Sequence, residues 1–535
     1  MNSFKHYLLI LAISLLPFLI ILINPNLPHT SDGGVQLPRI AAYVKALSDG
    51  HIPVRWAGDL NYGYGLPLFN FMYQFPYFLG AFFVALGSGL VLSFKLILLS
   101  SFLLSGVFMY LFAQKLLKDE KKALLVTLFY QFAPFRLVEL LVRGGIGSGF
   151  AYAFLPLVLL GAVRRSFFLT AFATSLLIVS HNSLSLVFFG IAFVYGLVIS
   201  PSKKTFLLSL LTGLCLASFY WVPALFERSY TYGDLFMKDL YKTNFPPLVN
   251  FFVPNFTNDV RLRTAEISVQ FGFFHVIGLI LAVIFIWKRK IKDMLTKKLL
   301  VTSLILTFIT LYFMQPLSIN LWENFGLLRQ FQFPWRFLAV ITFTTSLLSL
   351  SYFQLRKNAF YLPICILVVL STAFYWYPPQ GFDRVKAEKD FWNYPLNTTY
   401  FGETDLVWSA GPATKYPENR IQIIEGIATI TEFVKKTQIH TFSVNAETPV
   451  RLVDHTQYFP GWRVYVDNVK VPVEFQDANW RGLITFAVPA GNHSVRVTFG
   501  ESKTRIIADL ITLASASGLI LAFLWIKRKR LVPLR

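Results

Sequence analysis

The feature that most constrains this chain is a recurrence of apolar runs of roughly 17–23 residues, the length that crosses a bilayer as a helix. Such runs lie near 7–24, 91–113, 123–139, 150–163, 166–181, 183–200, 205–224, 268–287, 299–316, 334–354, 359–377 and 506–526. They predict an α-helical polytopic membrane protein with about twelve transmembrane helices, their boundaries soft by about four residues. Composition agrees: 55% of the 535 residues are hydrophobic and 14% charged, against about 25% charged in soluble proteins. A soluble multi-domain enzyme is excluded. The first run follows Lys5 and is followed by NPNLPHTSDGG with no small-residue cleavage site, so an uncleaved first helix is expected. The stretch 67–88 is apolar, but a single extra crossing there breaks the charge alternation; its prolines and glycines suit a re-entrant or interfacial helix pair.

A net charge of +21 raises the question of nucleic acid, but its distribution answers against it. One set of loops is strongly basic: KLLKDEKK (115–122), RR (164–165), PSKK (201–204), KRKIKDMLTKK (288–298), RK (356–357) and KRKR (527–530). The other set is balanced, with three basic and three acidic residues over 25–66, five and five over 225–267, and fourteen of each over 378–505. Cytoplasmic loops carry the Lys/Arg excess. The reading is a plasma-membrane protein with both termini cytoplasmic, the balanced loops outside, and basic runs against anionic lipid. Cys215 and Cys365 lie within apolar runs and read as buried hydrophobes rather than a disulfide or metal site.

The organisation expected is a transmembrane domain over 1–377 with a first outer loop over 25–90, an extracytoplasmic domain over 378–505, and a last helix with a basic tail over 506–535. From about 420 the pattern changes to short alternating stretches with turn signals, among them TQIHTFSV, WRVYVDNVKVPVEF and HSVRVTF, which predicts a β-sandwich. A hairpin is expected at Asp467-Asn468. Trp462 and Trp480 fit core or interdomain packing better than a sugar-stacking platform.

Ionisable residues at the ends of membrane spans are costly without a partner or a cavity, so they are functional candidates. On the balanced side these are Asp32, Arg39, Asp49, His51, Arg55 and Asp59 in the first loop, Arg136, Glu139 and Arg143 before the glycine-rich GGIGSG, His181, Glu227 and Arg228, Glu323 and Arg329, and Arg336. One polar site at that interface is the simplest account. Bland roles stand beside it: Glu139 and Arg143 as an i,i+4 helix-end pair, His181 as a helix cap, Arg336 snorkelling to lipid phosphate, and Asp49 with Gly50 as a helix stop. RGGIGSG lacks the GxxxxGK[ST] pattern of a nucleotide loop, and neither HExxH nor a clustered ligand set occurs.

SDGGVQLPRI (31–40), GHIPVRWAGDLNYGYGLPLFNF (50–71), SHN (180–182), LRQFQFPWRFL (328–338) and YFPGWRVYVDNVKV (458–470) together touch most of the chain. In this order, and with a β-domain before the last helix, the chain resembles GT-C membrane glycosyltransferases, and more closely bacterial YfhO-like proteins and the multi-pass family labelled "6-pyruvoyl-tetrahydropterin synthase-related". No soluble pterin-synthase domain or zinc-binding His cluster accompanies that label. The resemblance implies an integral-membrane glycosyltransferase moving a sugar from a polyprenyl-phosphate donor to an envelope glycan, lipid or glycoprotein on the outer face, with no metal or other cofactor.

On that resemblance Asp32 takes the place of the acidic residue that acts at the acceptor, with His29 or Asp59 as its neighbour. A carboxylate within hydrogen-bond reach takes the proton of the attacking hydroxyl, and fixed arginines neutralise the leaving phosphate. Arg336 and Arg143 are the expected phosphate contacts; His51, Arg55, Asp59, Glu139 and His181 shape the site. Two rivals stand: a transporter or flippase of a lipid-linked substrate, which calls for repeats and midplane broken helices, and a non-catalytic envelope scaffold.

Overall fold

The computed structural model describes residues 3–254, 256, 267–355, 360–384, 388–399 and 402–531. Arg356-Lys357 of the basic set lies outside the described residues, as do Asp259, Arg261, Arg263 and Glu266 of the balanced loop.

Among the described residues six helices are long and apolar enough to cross a membrane: Lys5–Ile23, Leu90–Leu117, Ile146–Val163, Met294–Phe313, Pro334–Gln354 and Lys503–Arg528. Two further spans are broken. Glu120–Gln131 continues into Pro134–Val142 after a 52° bend, and Lys203–Leu216 into Ser218–Phe226 after a 69° bend. The first bend falls where Pro134, lacking an N–H, starts a new helix. Among the described residues six to eight helices qualify by length and composition, which leaves the expected count of about twelve unconfirmed. The remaining apolar runs form shorter helices: Phe167–Ile178, Leu184–Ile199, Phe273–Trp287 and Tyr361–Leu370. Their ends are local. Ser166 caps one by accepting from Leu169 N (3.3 Å), and Gly272, at φ 97°, delays another until Phe273. The stretch 67–88 forms two short helices, Leu68–Phe71 and Phe75–Ala85.

Ile146–Val163 is the central helix, with 94% of its span buried, and packs along Leu90–Leu117. The last helix lies at the other extreme, with 6% of its span buried. Basic loops cap their helices conventionally: Asp119 accepts from Lys121 N and Lys122 N (3.0 and 3.1 Å), and Asp293 from Thr296 N (2.8 Å).

Strand β1 (Leu27–Pro28) pairs antiparallel with β2 (Phe382–Asp383), bringing the start of the first loop to the segment that leads into the β-domain. The β-domain holds β3 (Ile421–Glu425), β4 (Ala428–Lys435), β5 (Ile439–Ala446), β6 (Val450–Gln457), β7 (Trp462–Val466), β8 (Val469–Val471), β9 (Leu483–Val488) and β10 (Gly491–Phe499). They form two antiparallel sheets, ordered β4-β5-β10-β7-β8 and β3-β6-β9. Phe442, Val464, Val495 and Val497 of the larger sheet share one core with Leu452, Ile484 and Phe486 of the smaller. Alternating residues face inward, as in a sandwich. Asp467 and Asn468 both have positive φ, 50° and 66°, the geometry of a two-residue hairpin turn.

The first loop is the mortar between helices and sandwich. Trp56 is buried among the sandwich's aromatic residues, with ring centroids 5.5 Å from both Trp462 and Phe499. Trp462 therefore packs between domains. Trp480 lies edge-on to His455 at 5.6 Å.

Candidate functional site

Two segments far apart in sequence lie side by side through their backbones. Ser31 N donates to Val142 O (3.1 Å) and Asp32 N to Arg143 O (2.8 Å). The approach depends on small residues. Gly144 has φ 74°, and a Cβ there would stand 2.5 Å from Thr30 Oγ1. Gly147 lies so close to Ser180 O and the Tyr73 ring that a Cβ would fall within 2.7 Å of both. The glycine-rich stretch is thus a close-packing device, consistent with its failure to match a nucleotide loop.

Asp32 sits at the N-terminal end of helix Gly33–Ser48, with its side chain about a fifth exposed. Its Oδ2 is 3.7 Å from Arg143 Nη2. Arg143 Nη1 donates to both oxygens of Glu139 (2.7 and 2.8 Å), and its guanidinium stacks over Trp335 at 5.4 Å. Glu139 lies in a single π-helical turn, Val138–Val142, a deformation that recurs at functional sites. The expected i,i+4 pair exists, and Arg143 also extends it to Asp32.

Arg336 enters the same neighbourhood from the far end of the sequence. Its Nη1 donates to Phe331 O (2.9 Å) and Ser183 Oγ (3.4 Å), and it lies over the Phe333 ring at 4.9 Å. It is within electrostatic reach of Arg143, Glu139 and Asp32. His181 is stacked on Tyr73 (5.3 Å, 15°), which is stacked in turn on Tyr77 (5.4 Å, 13°). Its Nδ1 accepts from Ser183 N (3.2 Å) and Leu184 N (3.1 Å), so it caps the next helix.

Three N–H groups here, Arg143 Nε, Arg336 Nε and Trp335 Nε1, are buried without a hydrogen-bond partner among the described residues. Buried unpaired donors are uncommon and costly. Three of them around a carboxylate-flanked arginine pair suit an oxyanion.

The other residues expected at this site are not all here. His29 pairs with Asp383 (2.7 Å). Asp59 is bound by Lys45 (2.7 Å) and Lys435 (3.0 Å). Arg55 is buried against Asp509 (2.9 Å), Glu501 (3.4 Å) and Phe219 O (2.5 Å). His51 is buried edge-on to Phe499 at 5.9 Å. None of His51, Arg55 and Asp59 has Asp32 among these partners: the loop continues toward the β-domain at Asp49, whose carboxylate accepts from Thr437 N and Oγ1 (2.6 and 2.7 Å). Glu227 joins Arg505 (3.3 Å) and Asn70 (2.8 Å), Arg228 joins Asp234 (3.1 Å), and Arg329 binds Trp322 O (3.2 Å). The carboxylate nearest Asp32 through a shared arginine is Glu139, not Asp59.

Sequence reasoning missed Tyr73, Tyr77 and Gln36, which continue the polar face beneath Asp32. Tyr77 donates to Gln36 Oε1 (2.8 Å), and Arg39 donates to Tyr77 Oη (3.5 Å) and Thr398 Oγ1 (2.9 Å). Their one available signal was the spacing of Gln36, Arg39 and Tyr43 on a helix face directly after Asp32.

No family model matches the chain, and no curated protein does. Among solved structures it is similar to the oligosaccharyltransferase of Archaeoglobus fulgidus. The apo form matches at 13% identity and a TM-score of 0.40, over 78% of this chain and 61% of that one. The complex with Zn and sulfate matches at 13% identity and 0.38, over 76% and 59%. The chain thus spans about three fifths of the length of the oligosaccharyltransferase it matches.

Proposed function

We propose that this protein is a GT-C-like membrane glycosyltransferase that moves a sugar from a polyprenyl-phosphate donor to a cell-envelope acceptor, an envelope glycan, lipid or glycoprotein. The observation that carries the reading is the joining of Asp32 to Arg143, with Arg336 in the same electrostatic field and three unspent N–H donors around them. Asp32, partly exposed and next to a cation, is a carboxylate suited to accept the proton of an attacking hydroxyl. Arg143 and Arg336 then face the phosphate as its glycosyl bond breaks, where fixed positive charge stabilises the transition state most. Glu139 holds Arg143 in place through two hydrogen bonds to Nη1, leaving Nη2 toward Asp32.

On this reading residues 1–377 are the transferase body with its first loop over 25–90, 378–505 an extracytoplasmic domain, and 506–535 a last helix and basic tail. The termini are cytoplasmic and the site opens to the outer side of the plasma membrane, an orientation resting on the Lys/Arg bias of the loops. The YfhO-like resemblance points the same way.

The test is transfer of label from a polyprenyl-phosphate sugar by the purified full chain in proteoliposomes, comparing wild type with Asp32→Asn. Full activity of the variant at equal membrane abundance would sink the proposal.

A further inference from the structure

A second constellation lies at the C-terminal end of helix Gly33–Ser48, the end away from Asp32, where the first loop meets the β-domain. Two adjoining cavities, about 410 and 280 Å³, share Asp59 and Lys435 in their walls. Their sizes bracket the lower end of small-ligand sites, which run from about 300 Å³ upward. The first is lined by Lys45, Asp49, Trp392, Lys435 and Lys436 beside Asp59. The second adds Tyr62, Tyr416 and Arg420.

The chemistry of this cleft has three parts. Asp59 is fixed between two ammonium groups, Lys45 at 2.7 Å and Lys435 at 3.0 Å, and keeps an exposed edge. Such a carboxylate presents acceptor oxygens toward ring hydroxyls without rotating. The lysines are themselves fixed, Lys45 by Trp392 O (2.7 Å) and Lys435 by Gly58 O (3.2 Å). Tyr62 and Tyr416 pack edge to face at 5.2 Å, and with Trp392 they put apolar ring surface in a polar wall, as needed to stack the C–H face of a pyranose.

Charge narrows the ligand. Four cations line the walls with two carboxylates; Arg420 is answered by Asp454 at 3.5 Å, which leaves a surplus of one positive charge. Lys436 is exposed, and its ammonium group makes no ion pair or hydrogen bond among the described residues. A neutral sugar leaves that surplus unanswered, and a bare inorganic anion leaves the rings unused.

The geometry points to a binding cleft for an acidic saccharide, a short glycan carrying a carboxylate, seated between Trp392 and the Tyr62–Tyr416 pair with its charge on the Lys435–Lys436 side. This stands apart from the transferase reading, since none of its residues touches Asp32, Arg143 or Arg336.

The experiment is calorimetric titration of the full-length protein in nanodiscs with digalacturonate, maltose and inorganic phosphate. Digalacturonate is expected to bind at least tenfold tighter than either of the others and to weaken as salt rises. Lys436→Glu, at an exposed side chain, is expected to weaken it about tenfold or more with unchanged thermal stability; Tyr416→Ala should also weaken it. Asp32→Asn should leave it unchanged, which separates this cleft from the transferase site. Equal affinity for maltose, equal affinity for phosphate, no binding of digalacturonate, or indifference to Lys436→Glu each overturns the assignment.

Discussion

Asp32 and Arg143 are joined twice, by the backbone hydrogen bond from Asp32 N to Arg143 O (2.8 Å) and by the approach of their side chains to 3.7 Å. The backbone link fixes the distance between the chains, so the side-chain approach does not depend on rotamer choice alone. A carboxylate built this way is pre-positioned, and its removal should be felt in chemistry rather than in folding.

Asp32→Asn keeps the shape and loses the base. Transfer from a polyprenyl-phosphate sugar should fall by about 10²–10⁴-fold, the usual worth of a positioned acid or base, with little change in melting temperature. Arg143→Lys should also fall steeply, because an ammonium cannot reach both Glu139 oxygens and Asp32 at once. Glu139→Gln should act more mildly, through the positioning of Arg143.

Gly144→Ala tests the backbone apposition itself. The residue has φ 74°, and the added Cβ would stand 2.5 Å from Thr30 Oγ1. The left-handed conformation alone costs about 1–2 kcal/mol for a non-glycine residue, and the clash adds to it. The expected result is a lower melting temperature together with lost transfer, read by scanning fluorimetry and the proteoliposome assay.

Trp56→Ala should loosen the β-domain from the helices. The ring is 1% exposed among Trp462 and Phe499, and truncating a buried Trp costs about 3–5 kcal/mol. Limited proteolysis in detergent should then cut within 378–420 well before it cuts the wild type. Equal protease resistance would show that the ring does not hold the two parts together.

The buried His51 supplies a pH signature. Burial, reinforced by Arg55 and Arg505, lowers it from 6.5 to about 4. The unfolded chain takes up a proton below about pH 6.5 while the folded one does not until about 4, so stability is whole above pH 6.5 and declines as pH falls through that window. The decline from this residue is at most about 3.4 kcal/mol. His51→Gln should flatten the pH dependence of the melting temperature between 6.5 and 4; an identical profile would remove His51 as its source.

Much of the architecture was legible from local pattern. The apolar runs mark the helices, and the Asp467-Asn468 turn announces the hairpin, because such signals depend on nearest neighbours. The pairing of Glu139 with Arg143 is likewise a local spacing. Span count was less legible: an apolar run does not say where a capping serine or a glycine at φ 97° ends its helix. The placement of His51, Arg55 and Asp59 was not legible at all. They follow Asp32 within 27 residues, yet their partners are Phe499, Asp509 and Lys435. No short-range pattern carries a contact of that sequence separation.

The paired strands Leu27–Pro28 and Phe382–Asp383, with Arg55 held by Asp509, have a consequence for biogenesis. A ribosome emits the first loop long before its partners, since Asp509 follows Arg55 by 454 residues. Buried Arg55 therefore meets its counter-charge only after helix Lys503–Leu531 has been made, so the seam between first loop and β-domain closes late in assembly.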